Sequence, residues 1–338
     1  MKYFSTFSGI GGFELGITQA YENKRLGKQV GQDDTVSGRQ ETLDSTRVGN
    51  SQTRRNTDDT EYRTQATCVG YSEIDKYASQ IYQSHFPNHK NYGDITSIIA
   101  KDLPDFDLLV GGFPCQSFSI AGKRGGFNDT RGTMFFELAR ILRAKQPRLF
   151  VFENVKGLLS HDGGRTFATI IQTLDELGYD CQWQVLNSKN HGVPQNRERV
   201  FIIGHLRGTS RPEVFPFGES DGNPIQGSSK RENSATIDTK GGTNARGTFI
   251  KRLNDPKMAR NRVYGDTGIS PTLQTGTDRV VNGEKIRRLT PTECERLQGF
   301  PVGWTDGVSD TQRYKTLGNA VTVNVIEDIF TKILFGDN

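Results

Sequence analysis

The sequence predicts an α/β protein, a doubly wound, mostly parallel sheet carrying a second, small irregular domain. Three observations lead there. A short apolar strand runs straight into a glycine-rich turn and an amphipathic helix at the N-terminus. Apolar strands then alternate with helical periodicity for about two hundred residues. Beyond residue 208 that periodicity gives way to Gly, Ser, Asn, Thr and Arg.

Residues 3–7 read as a buried strand, followed by Ser8-Gly9-Ile10-Gly11-Gly12 and the apolar-periodic residues 13–20. Strand, glycine turn and helix in that order open a nucleotide-binding βα unit. Residues 22–66 break the pattern; their eight basic and eight acidic side chains cancel and few positions are apolar, so they read as a surface insertion, disordered or loosely hairpinned. Residues 67–72 form the next strand, with a helix after Glu73-Ile74-Asp75 that runs through Tyr82. Strands follow at 108–110 and 149–153, and between them residues 133–142 form a helix behind a threonine N-cap. A helix over 165–177 is stopped by Gly178, and strands follow at 179–187 and 200–206. Thr290-Pro291-Thr292-Glu293 is a capping box with proline at the first helical position, opening a helix that Gly299 ends. A last helix, from about 321 to 334, is expected to pack back on the large domain. The expected boundaries are 1–205, 206–284 and 285–338.

A chain of 338 residues with 33% hydrophobic content supports a packed core without disulfides. Its four cysteines are far apart and none sits in a C-x-x-C pair or beside a histidine cluster, so reduced thiols and no metal site are expected. No apolar run approaches the roughly 18 residues of a membrane span, and a cytoplasmic protein with no membrane partner is expected. Net charge is only +4, but residues 186–262 hold fourteen Lys or Arg against seven Asp or Glu. Such a local excess fits polyanion binding, and it fits a well-solvated surface equally well.

Two segments carry chemistry. A glycine turn lets backbone N–H groups approach a ligand, and an acid ending the second strand can hold ribose hydroxyls. Gly9, Gly11, Gly12 and Glu73 have those positions, although glycine turns also arise for purely steric reasons. The sharper segment is Gly111-Gly112-Phe113-Pro114-Cys115-Gln116-Ser117-Phe118-Ser119, directly after the third strand. The carboxyl ends of strands face the ligand crevice of an open α/β sheet, so a cysteine held there by a proline is placed to react. Glu153 closes the next apolar strand, Phe150-Val151-Phe152-Glu153-Asn154, and would face the same crevice. A glutamate in that setting is costly unless it is paired or functional.

In sequence order, these segments resemble the cytosine-5 DNA methyltransferase family over nearly the whole chain, apart from residues 22–66 and part of 208–258. The match implies a Rossmann-like methyltransferase sheet, a small target-recognition domain and S-adenosyl-L-methionine as cofactor. Residues 4–13 resemble the first cofactor motif, with Phe7, Gly9, Ile10, Gly11 and Gly12 at the donor. Glu73 and Ile74 resemble the ribose and adenine contacts, and Asp94 and Ile95 the adenine-side pair. Many relatives carry a larger side chain than Ile74. Phe113-Pro114-Cys115-Gln116 resembles the nucleophile motif, with Pro114 also against the donor, and Glu153-Asn154-Val155 the motif of the catalytic glutamate. Gln195-Asn196-Arg197-Glu198-Arg199 resembles the Q-x-R-x-R motif. Gly318-Asn319-Ala320-Val321 resembles the closing motif, with Asn319 and Val321 near the cofactor.

The resemblance implies a chemistry in which the Cys115 thiolate adds to carbon 6 of cytosine, so that carbon 5 can accept the methyl group. Glu153 would hydrogen-bond N3 and the exocyclic amine as the ring takes up charge. Arg197 and Arg199 would orient the base and its backbone, and Arg197 near Cys115 would favour the thiolate. The base that removes the C5 proton is not identified by the sequence; water would serve. Carbon 6 is inaccessible in a duplex, so the target must swing out. Residues 119–131, with Ser119, Lys123 and Arg131, resemble the family's mobile loop, and Gln116 would also meet DNA. Thr272 would meet a phosphate, whereas Arg260 and Arg262 would read guanine or, more often for arginine, contact phosphate. The expected protein is a monomeric bacterial or phage modification enzyme acting on double-stranded DNA; whether it is paired with a restriction endonuclease is left open by the sequence. A tRNA-methylating relative shares the nucleophile motif, but the long recognition region resembles that of the DNA enzymes. A silent DNA-binding regulator would have no chemical reason to keep Cys115, Glu153, Gln195, Arg197 and Arg199 together.

Overall fold

The computed structural model describes residues 1–25, 66–114, 134–210, 212–218, 263–264, 270–271, 279–282 and 285–335. Its centre is a six-stranded sheet. In chain order the strands are β1 (Lys2–Thr6), β2 (Thr67–Ser72), β3 (Leu108–Gly112), β4 (Leu149–Val155), β5 (Tyr179–Asn187) and β7 (Glu198–Leu206), with a two-residue β6 (Gln195–Asn196) between the last two. The spatial order is β2-β1-β3-β4-β7-β5. β2, β1, β3 and β4 pair in parallel, and β7 runs antiparallel to both β4 and β5.

Both faces of this sheet are covered, and the side-chain alternation of the strands shows why. Phe4, Leu109, Phe150, Phe152, Val200 and Ile202 point into one core cluster. Tyr3, Leu108, Val110, Leu149, Val151, Phe201 and Ile203 point into another. Helices α3 (Met134–Lys145) and α4 (Arg165–Glu176) bury Phe135, Leu138, Leu142, Ile170 and Leu174 against the first face. Helices α1 (Gly12–Arg25) and α7 (Val323–Phe335) bury Phe13, Ile17, Ala20, Ile326, Ile329 and Phe330 against the second. Complete burial of an aromatic such as Phe150 contributes about 2–3 kcal/mol by area alone.

Several boundaries differ from the expectation. Helix α1 continues past Ala20 to Arg25, so the insertion does not begin at residue 22. Tyr21 is buried, Asn23 Nδ2 donates to Glu327 on α7 at 2.6 Å, and Lys24 and Arg25 suit the negative end of the helix dipole. Residues 26–65 lie outside the described residues. The first strand stops at Thr6, because Phe7 adopts a left-handed φ of 50°. Residues 108–112, 149–155 and 198–206 are longer strands than expected.

The C-terminal part contains α2 (Lys76–His85) as a neighbour, α5 (Pro291–Leu297), α6 (Asp310–Asn319) and α7. The capping box at Thr290 is present: its hydroxyl accepts from the Glu293 N–H and the Glu293 carboxylate accepts from the Thr290 N–H. Helix α6 was not foreseen, since its sequence DTQRYKTLGN is mostly polar. Helix α7 begins at Val323, two residues later than expected. The segment read as irregular includes β8 (Val263–Tyr264), β9 (Ser270–Pro271) and β10 (Arg279–Asn282), which pairs with β11 (Lys285–Arg288) just beyond it. Among the described residues no helix is long and apolar enough to cross a membrane.

Candidate active site

The carboxyl ends of β1, β2, β3 and β4 lie along one edge of the sheet, and the candidate residues gather there. At the β1 end the chain turns through Phe7 (φ 50°), Gly9 (φ 57°) and Gly11 (φ 89°), conformations that glycine adopts at no steric cost. The Gly9 N–H donates to Glu73 Oε2 at 2.8 Å and the Asp75 N–H to Glu73 Oε1 at 2.7 Å. The glycine turn and the acid after β2 are therefore one unit. Each carboxylate oxygen keeps a lone pair for a further donor such as a ribose hydroxyl.

Asn91, which the sequence did not single out, joins this unit to the segment that carries Asp94. Its Oδ1 accepts from the N–H groups of Gly93 (2.8 Å) and Glu73 (3.3 Å), and its Nδ2 donates to the Glu73 carbonyl (3.1 Å). Ser72 Oγ donates to the Gly93 carbonyl at 2.7 Å. Asp94 caps the short 3-10 turn Ile95–Ser97 by accepting from the Thr96 N–H. The Arg140 guanidinium of α3 anchors the same turn at the carbonyls of Ile95 (2.9 Å) and Ile98 (2.7 Å).

These residues fit a nucleoside-bearing group. Among the described residues, no atom lies within 4 Å of where a Cβ would stand on Gly9 or Gly93. Ile74 is 74% exposed beside Glu73, an apolar surface left for a flat ring to cover. Ile10 and Ile95, also expected at the donor, are instead buried in two separate core clusters. Gly12 is pressed against the closing motif: a Cβ there would stand 2.8 Å from Val321 Cγ1. Asn319 is exposed as the last residue of α6.

The second half of the site lies at β3 and β4. Gly112 pairs with Glu153 in the parallel register. A Cβ on Gly112 would stand 2.9 Å from Glu153 Oε2, so the missing side chain is what admits the carboxylate. Glu153 Oε1 pairs with Arg199 Nε at 2.9 Å, and both side chains are largely buried. Asn154 is buried; its Nδ2 donates to the Phe113 carbonyl at 2.9 Å, which fixes the backbone just before Pro114. Pro114 is exposed at the strand end, and Cys115 follows it in the chain but lies outside the described residues. Gln116, Ser119, Lys123, Arg131, Arg260, Arg262 and Thr272 lie outside them as well. Gly112→Ala should leave the fold intact, because the φ is ordinary, while displacing the carboxylate. A drop in reaction rate on the order of 10²-fold with an unchanged melting curve is the expected result.

The sequence places Arg197 beside Cys115, which lies outside the described residues, and gives it the task of orienting the base. Among the described residues Arg197 is 2% exposed and turned toward the closing motif, donating from Nη2 to the Ala320 carbonyl (2.8 Å) and from Nη1 to the Gly318 carbonyl (3.3 Å). Burial lowers its pKa to about 9; the charge of Arg199 acts in the same direction, and Glu153 opposes it. Its position makes it a support for the loop that carries Asn319 and Val321. The support is doubled by a chain in which Ser188 Oγ lies 2.8 Å from Thr322 Oγ1, Thr322 donates to Gln298 Oε1, and Gln298 Nε2 donates to the Leu317 carbonyl. Gln195 is fully buried, and among the described residues neither of its amide atoms has a hydrogen-bond partner. Its strand β6 pairs with β9 in the register Gln195↔Ser270, so backbone from the segment beyond residue 206 meets the Q-x-R-x-R segment.

The model of the family described as C-5 cytosine-specific DNA methylase matches residues 1–237 and 227–334. The chain is similar to the Type II methyltransferase M1.ScrFI of Lactococcus lactis subsp. cremoris, with 41% identity over 278 residues that cover 78% of this chain and 71% of the relative. It is also similar to the Type II methyltransferase M.NlaX of Neisseria lactamica, with 34% identity over 348 residues that cover 97% and 94%. Among solved structures, the S. pombe Dnmt2 methyltransferase aligns with a TM-score of 0.62 at 17% identity, covering 98% of this chain and 97% of that one. At that identity the likeness is one of fold.

Proposed function

The chain belongs to the C-5 cytosine-specific DNA methylase family, and from that premise we propose that Cys115 and Glu153 act together on one extruded cytosine of a double-stranded recognition site. The protein is a DNA cytosine-5 methyltransferase that uses S-adenosyl-L-methionine. When bound, that cofactor supplies an electrophilic methyl group. Gly9, Gly11, Glu73, Ile74 and Asp94 would hold it, with Phe7, Pro114 and the closing motif at its borders.

The observation that carries the reading is the Glu153–Arg199 pair at the strand ends, beside the gap left by Gly112. A carboxylate clamped by a guanidinium keeps one orientation before substrate arrives, which is what electrostatic preorganisation requires. Arg199 occupies Oε1; Oε2 faces the Gly112 side, toward the strand that delivers Cys115. The thiolate of Cys115 forms a bond to carbon 6, N3 takes up a proton as the ring gains electron density, and Glu153 accepts from N3–H and the exocyclic amine, stabilising the protonated ring as it forms. Carbon 5 then takes the methyl group. Loss of the C5 proton to a base, water being sufficient, expels Cys115 and restores the aromatic ring. Asn154 is a positioning residue here, since it fixes the carbonyl of Phe113.

Residues 206–284 are proposed as the target-recognition domain, supported by the basic excess of 186–262 and by the β6–β9 pairing. The Type II names of the relatives support pairing with a restriction endonuclease. Incubation with a duplex carrying 5-fluorocytosine in its recognition sequence tests the covalent step. A fluorine at C5 cannot leave as a proton does, so wild-type protein should accumulate a complex that survives denaturing electrophoresis, and Cys115→Ser should form none. Absence of the adduct in the wild type, or its persistence in the variant, overturns the mechanism. Replacing the duplex with tRNA separates the two nucleic-acid substrates.

A further inference from the structure

A segment far along the chain, residues 301–315, straps the two elements that would hold the methyl donor. Trp304 is 7% exposed, and its indole Nε1 donates to the Ile10 carbonyl at 2.8 Å, in the middle of the glycine turn. Its ring stacks on His85 of α2, with centroids 3.6 Å apart and planes 6° from parallel, and also packs against Phe300. The Trp304 carbonyl accepts from His85 Nε2 at 2.7 Å. Further along, Gln80 Nε2 of α2 donates to the Gly307 carbonyl at 3.0 Å, and Lys315 Nζ pairs with Asp75 Oδ2 at 2.6 Å. Asp75 caps α2 through the N–H groups of Tyr77 and Ala78, and lies directly after Glu73 and the exposed Ile74.

From this juxtaposition we propose that Trp304 and Lys315 are positioning residues of the methyl-donor site, resting on the functional reading above. A turn with left-handed residues at Phe7, Gly9 and Gly11 has many conformations open to it when unrestrained. Trp304 fixes its central carbonyl, and Lys315 fixes the start of α2 behind the ribose-binding acid. Because Gly9 N–H also bonds to Glu73, the two ties act on one connected surface. Holding that surface before the donor arrives lowers the ordering cost of binding. The contribution belongs to affinity for the donor and not to the chemical step.

The test is calorimetric binding of S-adenosylhomocysteine to the full-length protein and its variants, read beside steady-state kinetics. Trp304→Phe keeps the ring and removes the N–H; it should weaken binding and raise KM for the donor about tenfold. Lys315→Met, at a half-exposed site, should weaken binding about threefold. Both should keep kcat at saturating donor within about twofold of wild type, and duplex affinity unchanged. Unaltered affinity in both variants overturns the proposal, and so does a parallel fall in kcat and duplex affinity, which marks a general loss of structure. If Trp304→Phe fails to fold, Lys315→Met decides the matter. The chain has two tryptophans, so in a Trp183→Phe background the emission of Trp304 should change when S-adenosylhomocysteine is added; an unchanged spectrum also overturns the proposal. Failure of the wild-type protein to bind at all would instead overturn the functional reading.

Discussion

Glu153→Gln should lower kcat by about two to three orders of magnitude while leaving the KM for the methyl donor near wild type. The amide keeps the shape of the side chain and can still accept from Arg199 Nε, which lies 2.9 Å from Oε1, so the fold at β4 and β7 is retained. What is lost is the negative charge and the acid–base capacity facing N3 of the extruded ring. Removing one preorganised partner of developing charge in a desolvated site costs on the order of 10²–10³ in kcat. Glu153 lies on the β3–β4 side of the crevice and the donor residues on the β1–β2 side, so the two kinetic constants should separate. Single-turnover methylation with saturating donor measures the effect; a loss under tenfold would remove Glu153 from the chemistry.

A second large effect concerns stability. Glu14, in the first turn of α1, is completely enclosed, and among the described residues neither carboxylate oxygen has a hydrogen-bond partner. Burial raises its pKa from 4.5 to about 7; the hydroxyls of Ser5 and Tyr82, close but out of hydrogen-bonding geometry, offset this only in part. The folded protein therefore holds a proton that the unfolded chain releases between about pH 4.5 and 7, and stability from this group falls as pH rises through that window. Above pH 7 the folded state carries the full cost of a buried charge, about 3 kcal/mol from the shift. Glu14→Gln removes the ionisation. The variant should match the wild type near pH 4.5 and be more stable by about 3 kcal/mol at pH 8.5. Denaturant unfolding at both pH values checks it, and a stability difference that does not grow with pH refutes it.

Much of the sheet was legible because its signals are local. The strand Tyr179–Asn187 has the bounds its alternation suggested, and the capping box at Thr290 opens a helix as its chemistry requires. Helix α6 was not legible: its buried residues are only Tyr314, Thr316 and Leu317, too few to set a period, and neighbouring elements supply the rest of its stability. The same distinction holds at the site. Glu153 closing an apolar strand is a local anomaly that the sequence displays. The roles of Asn91, Asn154 and Trp304 depend on backbone groups 18, 41 and 294 residues away, and composition carries no trace of them. Arg197 shows the limit most clearly. Its residue type was visible, but the direction of its guanidinium is set by the carbonyls of Gly318 and Ala320.

The reversed direction of β7 has a consequence for how such a crevice can be furnished. Where every strand runs the same way, only the tips at which chains leave the sheet can donate side chains to the ligand. Here one strand enters the sheet at that rim, so Arg199, its second residue, arrives opposite Val155 and reaches Glu153. Had β7 followed its neighbours, the same arginine would stand at the far rim, about 20 Å away over a strand of this length. One inverted strand thus lets a run of chain that precedes a strand, and not only those that follow one, contribute to the reaction centre.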